Sequence, residues 1–258
     1  MLEARALRKS FGRTTALDGA SVEIGEGEVV AVTGPSGSGK STLLHCLAGI
    51  VRPEAGEVLF AGRRLDTLDE DARTRLRREN FGVVFQFGEL VPELTAEENV
   101  VLPLLFGGRG RQESLEAART WLERLDVAGC ARQRPAELSG GQLQRVAVAR
   151  ALAAEPRVVF ADEPTGALDS LAGERVMGEL VGAVRESRAT LVVVTHDNRV
   201  AAYADREIAL RDGRVVAGAT ASARETPVDA PDRAPEEEPV ETPGEAAGGA
   251  PTTGGVSR

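Results

Sequence analysis

The chain reads as an α/β protein with a nucleotide-binding core, preceded by short strands and interrupted by a helical block. Three observations predict this. A short apolar run over residues 28–33 leads into eight glycine-rich residues, and apolar residues at helical spacing follow over 41–49. Strand–helix alternation returns later, with apolar runs at 157–161 and 190–195 around a helical pattern from about 170 to 186. Between those two stretches, residues 94–155 turn helical. With 258 residues, 42% hydrophobic and 28% charged, the chain has ample material for a core and the composition of a soluble protein.

Residues 2–33 read as short strands separated by turns, and Gly25-Glu26-Gly27 turns the chain into the run that feeds the glycine loop. That loop, Gly34-Pro35-Ser36-Gly37-Ser38-Gly39-Lys40-Ser41, fits the phosphate-binding pattern G-x-x-x-x-G-K-[ST] in the strand–loop–helix setting the pattern requires. Glycines let successive backbone N–H groups turn inward around a polyphosphate. The helix start at Lys40-Ser41-Thr42 adds its positive dipole end. Lys40 is placed to reach the β- and γ-phosphates, and the Ser41 hydroxyl to ligate Mg²⁺. Of 31 basic residues only Lys9 and Lys40 are lysine, and a narrow phosphate pocket demands that compact ammonium.

Arg52-Pro53-Glu54-Ala55-Gly56 breaks the chain before a strand at 57–60. A charged helical piece over 69–78 follows, and its Arg73, Arg75, Arg77 and Arg78 read as a solvated face. The strand at 81–85 ends at Gln86. Thr95-Ala96-Glu97-Glu98 is a capping box opening a helix. Over 111–126, Leu115, Ala118, Leu122 and Leu125 share a face, with Trp121 beside them as a core residue. Two last strands flank Asp212-Gly213. Residues 222–258 hold six of the 13 prolines, eight acids and three arginines, and no Leu, Ile, Phe, Tyr or Trp, the composition of a disordered tail. The expected organisation is a domain over 1–221, with the helical subdomain at about 94–155 inserted, and a tail over 222–258.

A phosphate loop alone fits a kinase, a GTPase or an ATPase. Val158-Val159-Phe160-Ala161-Asp162-Glu163 narrows the chemistry. A buried strand ending in an acid brings Asp162 beside the phosphate loop as a Mg²⁺ ligand, and Glu163 is suited to polarise an attacking water. Leu138-Ser139-Gly140-Gly141-Gln142 supplies a second anion site: Ser139 caps a helix whose first N–H groups two glycines leave bare. Two such sites in one chain either bind two nucleotides or share each nucleotide between two copies.

Composition excludes other classes. A net charge of −9 argues against a nucleic-acid partner, which needs a positive field. Cys46 and Cys130 have no metal or redox spacing. Residues 1–13 lack the apolar core of a signal peptide, and no apolar run approaches the roughly 18 residues of a membrane span. The expected location is cytoplasmic unless another chain holds the protein at a membrane.

Together these motifs, in their order and spacing, resemble the ATPase subunit of ATP-binding-cassette transporters over residues 1 to about 220. The resemblance implies a P-loop NTPase core with an N-terminal antiparallel β subdomain and the inserted helical one. It makes Gln86 the residue that senses Mg²⁺ and the attacking water, and His196 the contact to the γ-phosphate. Leu168-Asp169 match the loop by which two subunits communicate, and Phe11, where the family commonly has Tyr, stacks on adenine. It further implies a head-to-tail dimer, in which Lys40 and its neighbours on one copy and Ser139 and Gly141 of the other sandwich each ATP. Gly166, where many importer ATPases carry Ser, and the resemblance of 85–100 to a Leu-x-Pro-x-Leu-Thr-Ala-x-Glu-Asn-Val pattern point to the macrolide-exporter, lipoprotein-releasing and antimicrobial-peptide-resistance group. There the segment after Gln86 meets a separate membrane permease, so residues 87–105 are the expected docking surface and the protein is expected on the inner face of the membrane. An importer ATPase and a soluble non-transport cassette are the alternatives.

Overall fold

A computed structural model of the chain describes residues 1–216, Phe87 and Ala167 excepted. The expectation of a disordered tail over 222–258 falls outside the described residues. At the N-terminus the expected short strands are two long ones, β1 (Leu2–Phe11) and β2 (Thr14–Ile24), paired antiparallel. Register shifts between Ala4 and Leu7 and between Lys9 and Ser10, with Ala6 at a left-handed φ of 48°, break their alternation. Each irregularity resets which residues face the core, so period-two reading sees fragments.

β3 (Val29–Thr33) leaves this layer, while β4 (Ala55–Phe60) and β5 (Arg63–Arg64) return to it, giving the order β2-β1-β4-β5. The second sheet has six strands, ordered β10-β9-β3-β8-β7-β6. It comprises β6 (Phe81–Val84), β7 (Val158–Asp162), β8 (Thr190–Val194), β9 (Arg206–Arg211) and β10 (Arg214–Val215), parallel apart from β10. β3, β7 and β8 are buried at every position because both faces are covered, which is why their sequences are continuous apolar runs.

One face of β3, Val30 and Val32, joins a core with Leu43, Leu44 and Leu47 of α1 (Lys40–Leu47) and the inward residues of the antiparallel sheet. Phe60, Phe81 and Phe160 stack edge-to-face through it, at 4.9 and 5.2 Å. Burial there pushes the Cys46 thiol up to about 12, so Cys46 is a neutral packing group. The opposite face, Val29 and Ala31, joins a second core. α3 (Ala96–Phe106), α4 (Arg111–Arg124), α5 (Gly140–Leu152) and α6 (Ser170–Ser187) pack into it. Ala118, Leu122 and Leu125 are buried as their spacing predicts, and Trp121 packs partly buried against them.

The arginine face departs from expectation. In α2 (Glu70–Asn80), Arg75 and Arg78 are exposed, but Arg73 is buried and pairs with Glu70, and Arg77 donates to the Gly49 carbonyl at 2.6 Å. Arg73 and Arg77 lie over the chain just past α1, where the Arg73 stem packs against Gly49 and the Arg77 head satisfies the Gly49 carbonyl.

Candidate active site

β3, β7 and β8 end together at one edge of the parallel sheet, and their ends carry the chemistry. Thr195 N–H donates to the Val32 carbonyl at 3.1 Å and Glu163 N–H to the Val194 carbonyl at 2.9 Å, so the three strand ends are tied. From β3 the chain enters the glycine loop. Gly34, Gly37 and Gly39 have φ of 142°, 78° and 100°, a region that favours glycine. Two of them also need their lack of a side chain. A Cβ on Gly34 would lie 2.1 Å from the Leu210 carbonyl oxygen, and one on Gly39 the same distance from that of Ala16. Pro35, Ser36 and Gly37 are exposed at the loop's crest, and Ser41 and Thr42 are half-buried in the first turn of α1.

Lys40 is 7% exposed and curls back over the loop, donating to the carbonyls of Gly34 at 2.9 Å and Pro35 at 3.0 Å. Phosphate oxygens are stronger acceptors than these neutral carbonyls, so the ammonium is stationed for exchange. The Ser38 hydroxyl is buried without a hydrogen-bond partner among the described residues. Buried polar atoms left unmatched in this way point to a ligand group. Ser41 Oγ donates to Asp162 Oδ1 at 3.0 Å, bringing two hard oxygens together. That pair fits a hard cation such as Mg²⁺, which takes few protein ligands and keeps water and phosphate oxygens as the rest. Burial raises the Asp162 carboxyl above its ordinary range, opposed first by the Ser41 hydrogen bond and then by His45, whose Nε2 is 3.8 Å away.

Glu163 adopts φ 46°, a left-handed conformation uncommon for a non-glycine residue. Its Oε1 meets His196 Nδ1 at 2.8 Å, while the His196 side chain stays 63% exposed. The structure thus joins two residues that sequence reasoning had placed separately. It also brings in His45, which no spacing signal marked. Gln86 is exposed just beyond β6, and no hydrogen bond joins its amide to Ser41 or Asp162. Its Nε2 instead lies 3.2 Å from where a Cβ on Gly166 would be. Phe11 is 53% exposed at the end of β1.

Ser139 caps α5: its hydroxyl accepts from the Gln142 N–H at 3.3 Å, and the Gln142 side chain accepts from the Ser139 N–H at 2.9 Å. The cap leaves the Gly140 and Gly141 N–H groups at the helix's positive end. No hydrogen bond or ion pair among the described residues links the phosphate loop to Ser139, Gly140, Gly141 or Gln142. Asp169 is exposed and caps α6, accepting from Ala172 N–H at 2.9 Å.

A glycine phosphate loop, an Asp-Glu pair at the end of β7, one strand removed from β3, and a capped helix on an inserted helical block define an ATPase cassette. The chain belongs to the ABC transporter family, whose model matches residues 17–166. It is 44% identical over 220 residues to a macrolide export ATP-binding/permease protein of Shigella flexneri, covering 84% of this chain and 34% of that protein. It is also 44% identical over 212 residues to a lipoprotein-releasing system ATP-binding protein of Paramagnetospirillum magneticum, covering 82% and 94%. The chain therefore spans about a third of the length of the macrolide-export relative and nearly all of the lipoprotein-releasing one. Among solved structures, it is similar to a dimeric post-hydrolysis ATP-binding cassette bound to ADP and phosphate. That likeness has TM-score 0.76 and 42% identity, over 83% of this chain and 96% of the other.

Proposed function

We propose that this chain is the ATP-hydrolysing subunit of an exporter-type transporter, working as a head-to-tail pair on a separate membrane permease. One observation carries the reading: the chain holds two anion-binding elements, the phosphate loop and the Ser139-capped end of α5, with no bond between them within one copy. A second copy in reversed orientation supplies the missing half of each site, so ATP itself becomes part of the interface. Similarity to a cassette described as dimeric supports that arrangement.

Within each site, the loop N–H groups and Lys40 bind the triphosphate, Phe11 stacks on the base, and Ser139 with Gly141 of the other copy closes over the γ-phosphate. Ser41 and Asp162, with Gln86 nearby in sequence to the docking segment, would hold Mg²⁺, which neutralises charge on the phosphate oxygens when bound. Glu163 accepts the proton of the attacking water, and His196 holds its carboxylate in place. Loss of the γ-phosphate removes the bridge and frees the two copies.

The exporter assignment rests on the two relatives above, one a macrolide exporter and the other a lipoprotein-releasing component. Among the described residues no helix is long and apolar enough to cross a membrane, and this reading places the chain at the membrane through the permease. Its docking surface is a groove of about 730 Å³ that includes Glu89 and Pro103 of the expected segment and Phe85 just before it. Ile50 and Phe106 extend it, exposed apolar residues outside that segment. We assign the nucleotide-binding domain to residues 1–221.

Glu163→Gln tests the core of the reading. It removes the base but leaves the phosphate and cation contacts, so the variant binds ATP, stops turning over, and doubles its mass in light scattering with magnesium and ATP. Wild-type turnover rejects the base, and a monomer at saturating nucleotide rejects the shared site.

A further inference from the structure

Lys9 is one of two lysines in a chain that otherwise uses arginine, and the phosphate loop accounts only for the other. It lies on β1 two residues before Phe11, across the register shift between Lys9 and Ser10. Its Nζ stands 5.3 Å from the centroid of the Phe11 ring, within the range of a cation–π contact. Glu54 fixes that ammonium from the other side. One carboxylate oxygen lies 3.5 Å from Lys9 Nζ, the other accepts from Ser10 N–H at 3.2 Å, and Glu54 N–H donates to the Arg8 carbonyl at 2.8 Å. Glu54 thus brackets residues 8–10 at the β1 register shift, and Lys9 keeps only 19% of its side chain exposed. Phe11, by contrast, is 53% exposed, and no other aromatic ring contacts it among the described residues.

We propose that Lys9, held by Glu54, is a positioning residue for base recognition: it orients the Phe11 ring so that its open surface receives the adenine. The inference rests on the assignment of Phe11 to the base. A phenyl ring has no hydroxyl to anchor it, and an exposed ring free about χ1 and χ2 loses that freedom on stacking. A cation on the ring's negative face restricts it beforehand, so the cost of ordering is met before the nucleotide arrives. The effect belongs to the base alone. Lys9 makes no hydrogen bond to the phosphate loop, so contacts to the triphosphate do not depend on it.

The experiment compares equilibrium binding of ATP and of inorganic tripolyphosphate to the full chain and its variants. Lys9→Met is expected to raise the ATP Kd about threefold while tripolyphosphate binding and the melting midpoint stay as in the parent. Lys9→Arg, which keeps a cation over the ring, restores ATP binding, and Glu54→Gln gives a smaller loss of the same kind. Phe11→Ala must weaken ATP and spare tripolyphosphate. If it leaves ATP unchanged, the base-stacking reading itself fails and this proposal with it. If Phe11→Ala weakens ATP but Lys9→Met does not, stacking stands and the role of Lys9 is overturned. A Lys9→Met loss that is equal for ATP and tripolyphosphate also overturns it, because it marks a long-range charge effect.

Discussion

At the scale of single residues, the site is set by groups held in conditions they do not favour. Asp162 sits buried beside Glu163, and its raised pKa means that the ionised form is destabilising in the folded chain. The folded value lies above the ordinary 3.8, so the penalty is full above the folded value and vanishes as pH falls below 3.8. Asp162→Asn keeps an oxygen for the Ser41 hydroxyl and removes the charge. In the nucleotide-free chain it should raise the melting midpoint at pH 7 by on the order of 1–3 °C, with the gain shrinking towards pH 4. Thermal scans across that range test this, and a variant less stable than the parent at pH 7 would reverse the sign argued here. The left-handed Glu163 backbone belongs to the same pattern, held in an uncommon conformation where its carboxylate meets His196.

Secondary-structure elements differ in how firmly they hold the segment that follows Gln86. Asn99 of α3 is fully buried, and its side chain makes four hydrogen bonds to backbone. It accepts from Val91 N–H at 2.7 Å and donates to the carbonyls of Val91, Leu94 and Thr95 at 3.0–3.2 Å. From the other side, Arg150 of α5 donates to the Gly88 and Glu89 carbonyls at 2.9 and 2.8 Å. Gly88, at φ 71°, lies so close to α5 that a Cβ there would be 2.2 Å from Leu143. The segment is therefore a fixed part of the helical block. Asn99→Ala takes their partner from the Val91 N–H and the Leu94 carbonyl and opens a void at a fully buried position, and should cost about 2–3 kcal/mol in urea unfolding of the whole chain. A cost below about 0.5 kcal/mol would mean that the segment is held without it.

For the whole molecule, one copy carries both kinds of anion-binding element, and on the proposed reading two copies act together. On that reading, the groove beside Phe106 is where the permease attaches. Phe106 is 64% exposed and apolar, a placement with a cost in water that a partner helix would relieve. Phe106→Asp should abolish co-purification with an integral membrane partner, with the melting midpoint held within about 2 °C because the side chain contributes little to the core. Undiminished co-purification would move the docking surface elsewhere.

The sequence by itself determined the elements and the chemical identity of the phosphate loop. Continuous apolar runs mark strands covered on both faces, and Gly34, Gly39 and Lys40 are residue types that backbone geometry and phosphate charge demand locally. Ser139 and Thr95 announced their helices because capping is a contact over three residues. Long range was another matter. The N-terminal strands appeared fragmented because bulges reset the alternation, and the arginines of α2 appeared solvated because the chain end after α1 that covers Arg73 and takes the Arg77 hydrogen bond is distant in sequence. Only the tertiary structure decided that Glu163 meets His196, that His45 flanks Asp162 and that Lys9 stands over Phe11. Each of the first two joins strand ends or helices distant in the chain, and the last depends on a bulge and on Glu54, 45 positions away from Lys9. Such contacts arise from packing distant layers together, and no local pattern of residues encodes them.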